Sequence, residues 1–363
     1  MNKSLSSNKL RILIDIGHPA HVHIFKNAAK EFESRGYRVL WTARNREVVV
    51  DLLKQYGFDF KILTRPKHGF LKALGELIEH DLKMLSTVLK YKPHLMMGTS
   101  IGITHVGRLL KIPSLFFSED DKSVQKHIVL LAYPFCNFII TPDCLASENW
   151  GKKHILHRSY HELAYLHPDN FCPDSNVLDM LNQKSEDRFF ILRFVSFQAR
   201  HDVREEGIPH ETKKYLIQFL SEFGSVYITS ERPLPKEFEK FRFPLHPSLI
   251  HDALSFATIF IGDSQTMTAE AAVLGVPSIR YNSFVGRLTY LEELEHKYQL
   301  TFGYRPGQEE EMLKKIKELL KTKNLREEWF KRRDSMLKEK INLTKWTVDF
   351  VEKIALKEKI WNN

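Results

Sequence analysis

The sequence predicts two consecutive α/β domains, each a parallel sheet covered by helices on both faces. Short apolar runs rich in β-branched and aromatic residues alternate with stretches of helical periodicity. The alternation breaks once, between residues 150 and 184, and then resumes. A length of 363 residues suits two domains of ~100–200 residues better than one.

Residues 11–16 form the first expected buried strand, and the helix after it places Phe25, Ala28, Ala29 and Phe32 on one face before Gly36 stops it. Residues 38–43, 95–97, 114–117 and 138–140 continue the strand series. The break contains Pro168 and Pro173 with scattered Asp and Asn, which marks a linker. The second series has strands at 189–194, 225–229, 258–261 and 278–281. Its helices span 209–223, with Tyr215, Leu216, Phe219 and Leu220 inward, and 266–274. After Gly307 the chain turns helical, and Trp346, Phe350 and Ile354, four apart, predict a last helix packed on an apolar surface. The expected boundaries are 1–165, a linker at 166–186, a second domain at 187–340 and a final helix at 341–363.

An apolar fraction of 43% and a charged fraction of 27% are those of a globular protein, not a disordered one. The net charge of +9 comes in large part from segments such as Lys314-Lys315-Ile316-Lys317-Glu318, where interleaved Glu indicates a solvated helix face. Basic residues are not interleaved with spaced aromatics, so a nucleic-acid partner is not expected. The three cysteines, Cys136, Cys144 and Cys172, fit neither a zinc site nor a disulfide framework, and suit a reducing cytoplasm. Residues 1–8 lack the apolar core of a signal peptide. The longest apolar run, 128–140, is interrupted by Pro134 and Asn137 and is too short to span a bilayer.

In such folds ligands bind beyond the carboxyl ends of strands, and four strand ends carry unusual residues. After residues 258–261 come Gly262, Asp263, Ser264, Gln265 and Thr266, then Glu270 and, at the far end, Gly275-Val276-Pro277. A helix opening near Thr266 offers free N–H groups and a dipole to a phosphate, Ser264 and Thr266 add hydroxyls, and Glu270 is spaced to accept from a ribose diol. Helix capping by Asp263 or Ser264 accounts for part of this pattern. After the first strand come His18, His21 and His23 around Pro19. The group is placed for acid–base work or a phosphate contact near neutral pH. Metal binding competes, without the spacing of zinc enzymes, as does plain packing. Glu119, Asp120 and Asp121 follow residues 114–117, either to meet a polyhydroxylated acceptor or to cap the next helix. Ser196, Arg200 and His201 follow residues 189–194, with Arg200 suited to phosphate oxygens. Neither G-x-G-x-x-G nor G-x-x-x-x-G-K-[ST] follows any of these strands, which argues against a nicotinamide dehydrogenase and a P-loop ATPase.

Residues 17–25, Glu119-Asp120, 196–202 and above all 262–277 occur in the order of a GT-B-type glycosyltransferase. The segments Ile14-Asp15-Ile16-Gly17-His18-Pro19-Ala20-His21-Val22-His23, His161-Glu162-Leu163-Ala164-Tyr165-Leu166-His167-Pro168 and Gly262-Asp263-Ser264-Gln265-Thr266-Met267 resemble a prokaryotic family, domain of unknown function 354 (DUF354). Ala20-His21-Val22 is similar to the Gly-His-Val near the reacting sugar in the enzyme that transfers N-acetylglucosamine to lipid I. Ile112-Pro113 through Glu119 resembles that enzyme's Ile-Pro strand ending in Glu. Ser264 to Glu270 resembles its helix start, whose Glu holds the ribose. The hydrolysing UDP-N-acetylglucosamine 2-epimerase has Asp-Ser-Gly-Gly-x-x-Glu-Glu at that place; Asp263-Ser264 match, while Gln265-Thr266 replace the glycines and Ala269 the first Glu. Pro19 and Ala20 stand where the lipid I enzyme has glycines.

The resemblance implies two facing Rossmann-like domains in a GT-B-like arrangement, with the C-terminal helix returning to the N-terminal domain. It implies a cytoplasmic, inverting glycosyltransferase of cell-surface polysaccharide biosynthesis, with no metal and no cofactor, using a UDP-linked sugar and a glycan or lipid-linked acceptor. His21 or Glu119 would be catalytic. Ser196, Arg200, Ser264, Gln265, Thr266 and Glu270 would bind the donor, and His18, Asp120, His201 and Asp263 would line the cleft. A basic, aromatic stretch at 329–333 is the expected point of approach to the inner face of a membrane. The alternatives are a sugar-nucleotide epimerase or hydrolase and a non-catalytic binder.

Overall fold

A computed structural model describes residues 10–67, 69–194, 207–230 and 233–357. The chain divides into two compact units, Met1–Tyr165 with Ile341–Asn363, and Leu166–Lys340. Each holds one parallel sheet.

In the first unit the strands are β1 (Arg11–Ile16), β2 (Arg38–Arg44), β3 (Phe60–Thr64), β4 (Leu95–Gly98), β5 (Ser114–Phe117), β6 (Phe138–Pro142) and β7 (His154–His157), in sheet order β3-β2-β1-β4-β5-β6-β7. The helices between them are α1 (Pro19–Ser34), α2 (Glu47–Gln55), α3 (Phe70–Tyr91), α4 (Gly102–Leu110) and α5 (Lys126–Leu131). Central strands are covered on both faces, so β4 and β5 are buried throughout and read as continuous apolar runs. Right-handed crossovers put α1 and α2 on one face and α3, α4 and α5 on the other. In α1 the expected residues Phe25, Ala28, Ala29 and Phe32 are buried, together with Val22 and Ile24. Sheet order reverses between β1 and β4, which makes their carboxyl ends the switch point of this unit.

The second unit contains β8 (Phe189–Phe194), β9 (Ser225–Ser230), β10 (Ile259–Gly262), β11 (Ser278–Tyr281) and β12 (Thr301–Tyr304), ordered β12-β11-β10-β8-β9. Its helices are α6 (Asn176–Met180), α7 (His210–Ser221), α8 (Ile250–Phe256), α9 (Gln265–Leu274), α10 (Thr289–Glu292), α11 (Glu309–Lys321) and α12 (Leu325–Glu339). Residues 166–186 fall within this unit. The switch point lies between β8 and β10. In α7 the expected inward face is rotated. Leu216, Ile217 and Leu220 are buried, whereas Tyr215 is 42% exposed and stacks on Phe219 at 5.9 Å. Ile217 replaces Tyr215 because the phenol gains a wet edge that the alkyl chain does not need.

Helix α13 (Leu343–Lys357) returns to the first unit. Ile341 N–H donates to Arg158 O at 2.7 Å, and Thr344 Oγ1 donates to Ala164 O at 2.6 Å. Leu343, Val348, Val351 and Ile354 are buried, each worth roughly 1.5–3 kcal/mol of transfer free energy as an upper figure. Phe350 meets Phe138 edge-on at 5.9 Å and stacks on Trp346 at 4.9 Å. Trp329, expected at a membrane surface, is buried, and its indole N–H donates to Leu300 O at 2.9 Å. A tryptophan so engaged is a core residue, which corrects that expectation. Among the described residues no helix is long and apolar enough to cross a membrane.

Candidate functional site

At the switch point of the first unit, β1 ends at Ile16 and Gly17-His18 lead into α1. His18 is the N-cap of α1, its Nδ1 accepting the Ala20 N–H at 3.3 Å, and Pro19 supplies the first helical residue without an N–H to satisfy. This places His21 beside the end of β4, where Thr99 Oγ1 lies 2.5 Å from its Nδ1. The His18 and His21 rings are 5.7 Å apart. Burial holds the His21 imidazole well below its usual range, reinforced by His18, His161, Arg46 and Arg44. His21 is therefore neutral at physiological pH, with Nδ1 engaged by Thr99.

Behind this turn runs a buried polar chain. Asp15 on β1 is fully buried and lies 3.0 Å from His80 Nε2 of α3, while Thr42 donates to its other oxygen at 2.8 Å. His80 Nδ1 is 3.1 Å from Thr64 Oγ1, Thr64 also bonds Glu76, and Glu76 accepts from Arg44 Nε at 3.0 Å. Burial alone would raise the Asp15 carboxyl, but His80, Ser100 and Arg44 hold it below its usual value. The chain ends at the Arg44 guanidinium, which lies so close to the turn that a Cβ on Gly17 would meet its Nη1 at 3.4 Å.

Glu119, directly after β5, is buried. Its Oε1 accepts the His161 backbone N–H at 2.8 Å and its Oε2 lies 3.4 Å from His161 Nδ1. Burial pushes the His161 imidazole down to about 3, so this ring is neutral at physiological pH. Asp120 accepts from Gln125 Nε2. The first unit thus gathers His18, His21, Thr99, His161 and Glu119 at adjoining strand ends. Asp120 is turned to the loop before α5.

In the second unit, β10 ends at Gly262, where a Cβ would stand 2.7 Å from Arg193 O on the paired strand β8. Only glycine allows that approach. Ser264 caps α9, its hydroxyl accepting the Met267 N–H at 3.3 Å, and Thr268 Oγ1 donates back to Ser264 O at 2.6 Å. The N–H groups of Gln265 and Thr266 have no intrahelical acceptor, and both residues are half-buried, not enclosed. Asp263 is buried, and Asn282 Nδ2 donates to its carbonyl at 2.9 Å. Glu270, only 5% exposed, has its Oε1 3.0 Å from His251 Nε2 of α8. The helix ends at Gly275 in the left-handed region, φ 78°.

Ser196, Arg200 and His201 lie outside the described residues. Sequence reasoning missed Thr99, Arg44, His161 and His251. Arg44 closes β2, so the rule of looking beyond strand ends finds it once that strand is extended by one residue. Elsewhere in the second unit, Glu292, Glu295 and His296 bring one ligating atom each within 4.8 Å of the others. Fully buried Arg280 approaches Glu292 at 3.1 Å, so a cation already serves this cluster.

Comparison with known proteins agrees with this architecture. The family model described as "Protein of unknown function (DUF354)" matches residues 10–288. An uncharacterized protein of Methanocaldococcus jannaschii is 23% identical over 279 residues, covering 74% of this chain and 81% of its own length. Among solved structures, the S. aureus MnaA–UDP co-structure superimposes with a TM-score of 0.68 at 14% identity, over 97% of both chains. UDP-GlcNAc 2-epimerase from Neisseria meningitidis bound to UDP-GlcNAc gives 0.64 at 12% identity, over 95% of this chain and 100% of its own. The spinosyn forosaminyltransferase SpnP gives 0.66 at 13% identity, over 96% and 100%. At such identities the likeness is one of fold alone: two Rossmann-like units.

Proposed function

The chain belongs to the DUF354 family, and from that membership and the two strand-end turns we propose that it is a metal-independent, inverting glycosyltransferase. Its donor in this reading is a nucleotide sugar, UDP-linked, and its acceptor a glycan or lipid-linked saccharide of cell-surface polysaccharide biosynthesis. The observation that carries the reading is the neutral imidazole of His21, held at Nδ1 by Thr99, at the switch point of the first sheet. A neutral, oriented imidazole is what deprotonation of an acceptor hydroxyl requires. The hydroxyl oxygen attacks the anomeric carbon, its proton passes to His21 Nε2, the bond from that carbon to the phosphate oxygen breaks, and the nucleoside diphosphate leaves. Glu119, tied to His161, orients that side of the site without acting as the base.

The donor side is assigned to α9. The free N–H groups of Gln265 and Thr266, aided by the helix dipole, would take the diphosphate and stabilise it as it departs, which makes a metal dispensable. Glu270, about one turn further and braced by His251, would hold the ribose. Ser196, Arg200 and His201 would complete the donor contacts.

A thermal-shift series of nucleoside diphosphates and nucleotide sugars tests the reading. A bound donor raises the melting temperature by mass action, by about 2.7 kcal/mol of stability at a hundredfold excess over Kd. Absence of a shift with every nucleotide would overturn it. The epimerase class supplies a second reading, favoured by the fold likeness to the Neisseria enzyme. It requires turnover of the donor without acceptor, and Ala269 and Gln265-Thr266 stand against it where those enzymes' motif has Glu and two glycines.

A further inference from the structure

Helix α3 is apolar on two faces. The positions it buries against the sheet include Glu76, His80 and Thr87, beside Met84 and Val88. Leu77 and Leu85 pack against the core, while five further apolar residues face water: Leu71 is 79% exposed, Leu74 45%, Ile78 55%, Leu82 62% and Leu89 56%. At about 100° per residue these five side chains fall within an arc of about 80°, in a stripe of about 27 Å. Leu109 on α4, Leu130 on α5 and Phe135 just beyond it are also exposed, on the same side of the sheet. On the opposite side, α1, α2 and α13 expose only Val48 and Leu356 among large apolar residues described. A contiguous apolar surface of this kind on a folded unit marks a contact to be made.

The charges around the stripe identify its occupant. Exposed Lys72, Lys83 and Lys90 run down one flank of α3, and exposed Arg108, Lys111 and Lys126 lie on or beside α4 and α5. The acidic residues of α3 are engaged: Glu76 by Arg44, Glu79 by Lys67 and Lys83, and Asp81 by His105. A second copy of this face would set lysine against lysine.

We propose that the outer face of α3, with Leu109 and its basic flanks, is a docking surface for an anionic lipid bilayer, on which α3 lies in the plane of the headgroups. Leucines enter the acyl boundary and lysines meet phosphates, the division of labour of an interfacial helix. This surface operates whether or not the protein transfers a sugar, so failure of one proposal leaves the other standing.

The test is flotation of the full chain with vesicles of phosphatidylcholine alone and of phosphatidylcholine with phosphatidylglycerol. The chain is expected to float with the anionic vesicles and to be released as salt is raised. The combined exchange Leu71→Gln, Ile78→Gln and Leu82→Gln should weaken binding at least about tenfold. Unchanged circular dichroism would show that it still folds, and Val48→Gln should bind as the parent does. No flotation at low salt, equal flotation with neutral vesicles, or full binding by the triple variant would each overturn the assignment. A concentration-dependent dimer that the triple variant abolishes would overturn it in favour of self-association.

Discussion

The two units solve the same local problem, a strand handing over to a helix at a sheet's switch point, with opposite chemistry. After β1 the cap is an imidazole, the first helical residue is a proline, and titratable side chains crowd the turn while the backbone donors are satisfied. After β10 the cap is a hydroxyl between buried Asp263 and neutral Gln265, and backbone N–H groups open the helix. The first turn gathers imidazoles but has few free donors for an anion. The second presents the N–H groups of Gln265 and Thr266 and has no imidazole in the turn itself. Fold alone therefore does not determine what a strand end does; the capping residue does.

The division can be broken most directly at His21. His21→Ala should reduce sugar transfer by about 10²–10⁴-fold while leaving the nucleotide-induced melting shift unchanged. Loss of that shift as well would show that the turns do not divide the work. The next largest effect concerns the buried chain behind the first turn. His80→Leu leaves Asp15 enclosed without its partner and should cost about 3–5 kcal/mol in urea unfolding; a cost near zero would mean the chain is not holding the turn.

Acid should also separate the turns. His161 and His21 have folded-state pKa values below the unfolded value near 6.5, so the native state binds fewer protons than the unfolded chain below that pH. Stability is then complete above about 6.5 and falls as pH drops, for His161 down to about 3, by up to ~1.4 kcal/mol per pH unit and group. Asp15 adds to the loss below its unfolded value, whereas His105, raised by its bond to Asp81, opposes it near neutrality. Calorimetry across this range should show a shallower acid limb in His161→Gln. The smallest effect is expected at the second turn: Ser264→Ala should cost about 1 kcal/mol and Ser264→Gly only a few tenths, read from denaturant midpoints.

Strands covered on both faces were legible because burial leaves little room for anything but apolar residues; β1, β5, β8 and β11 all fall where their runs predict. Of the edge strands, β9 falls where its run predicts, but β3, β7 and β12 were not legible. β3, β7 and β12 are four or five residues long and half-exposed, so His154-Ile155-Leu156-His157 carries no period that marks a strand. The helix start after β10 was legible because its signals are contiguous. Glu119 with His161, Glu270 with His251 and Arg44 with Glu76 are joined across 42, 19 and 32 residues, and no local pattern records such pairings. Helix α3 defeats the periodicity rule differently: it carries a second apolar stripe facing water, while Glu76, His80 and Thr87 share its inner face with Met84 and Val88.

Helix α13 has a bearing on how the chain is made. A ribosome releases residues 166–340 before the segment that closes the first unit exists, so the second unit can fold while the first still waits for its final piece. Until residues 341–357 emerge, Ala164 O lacks the Thr344 donor and the surface that receives Val348 and Val351 stays wet. The unit that carries the His21 turn is begun first and finished last, so a nascent chain completes the helix start after β10 before that unit is closed.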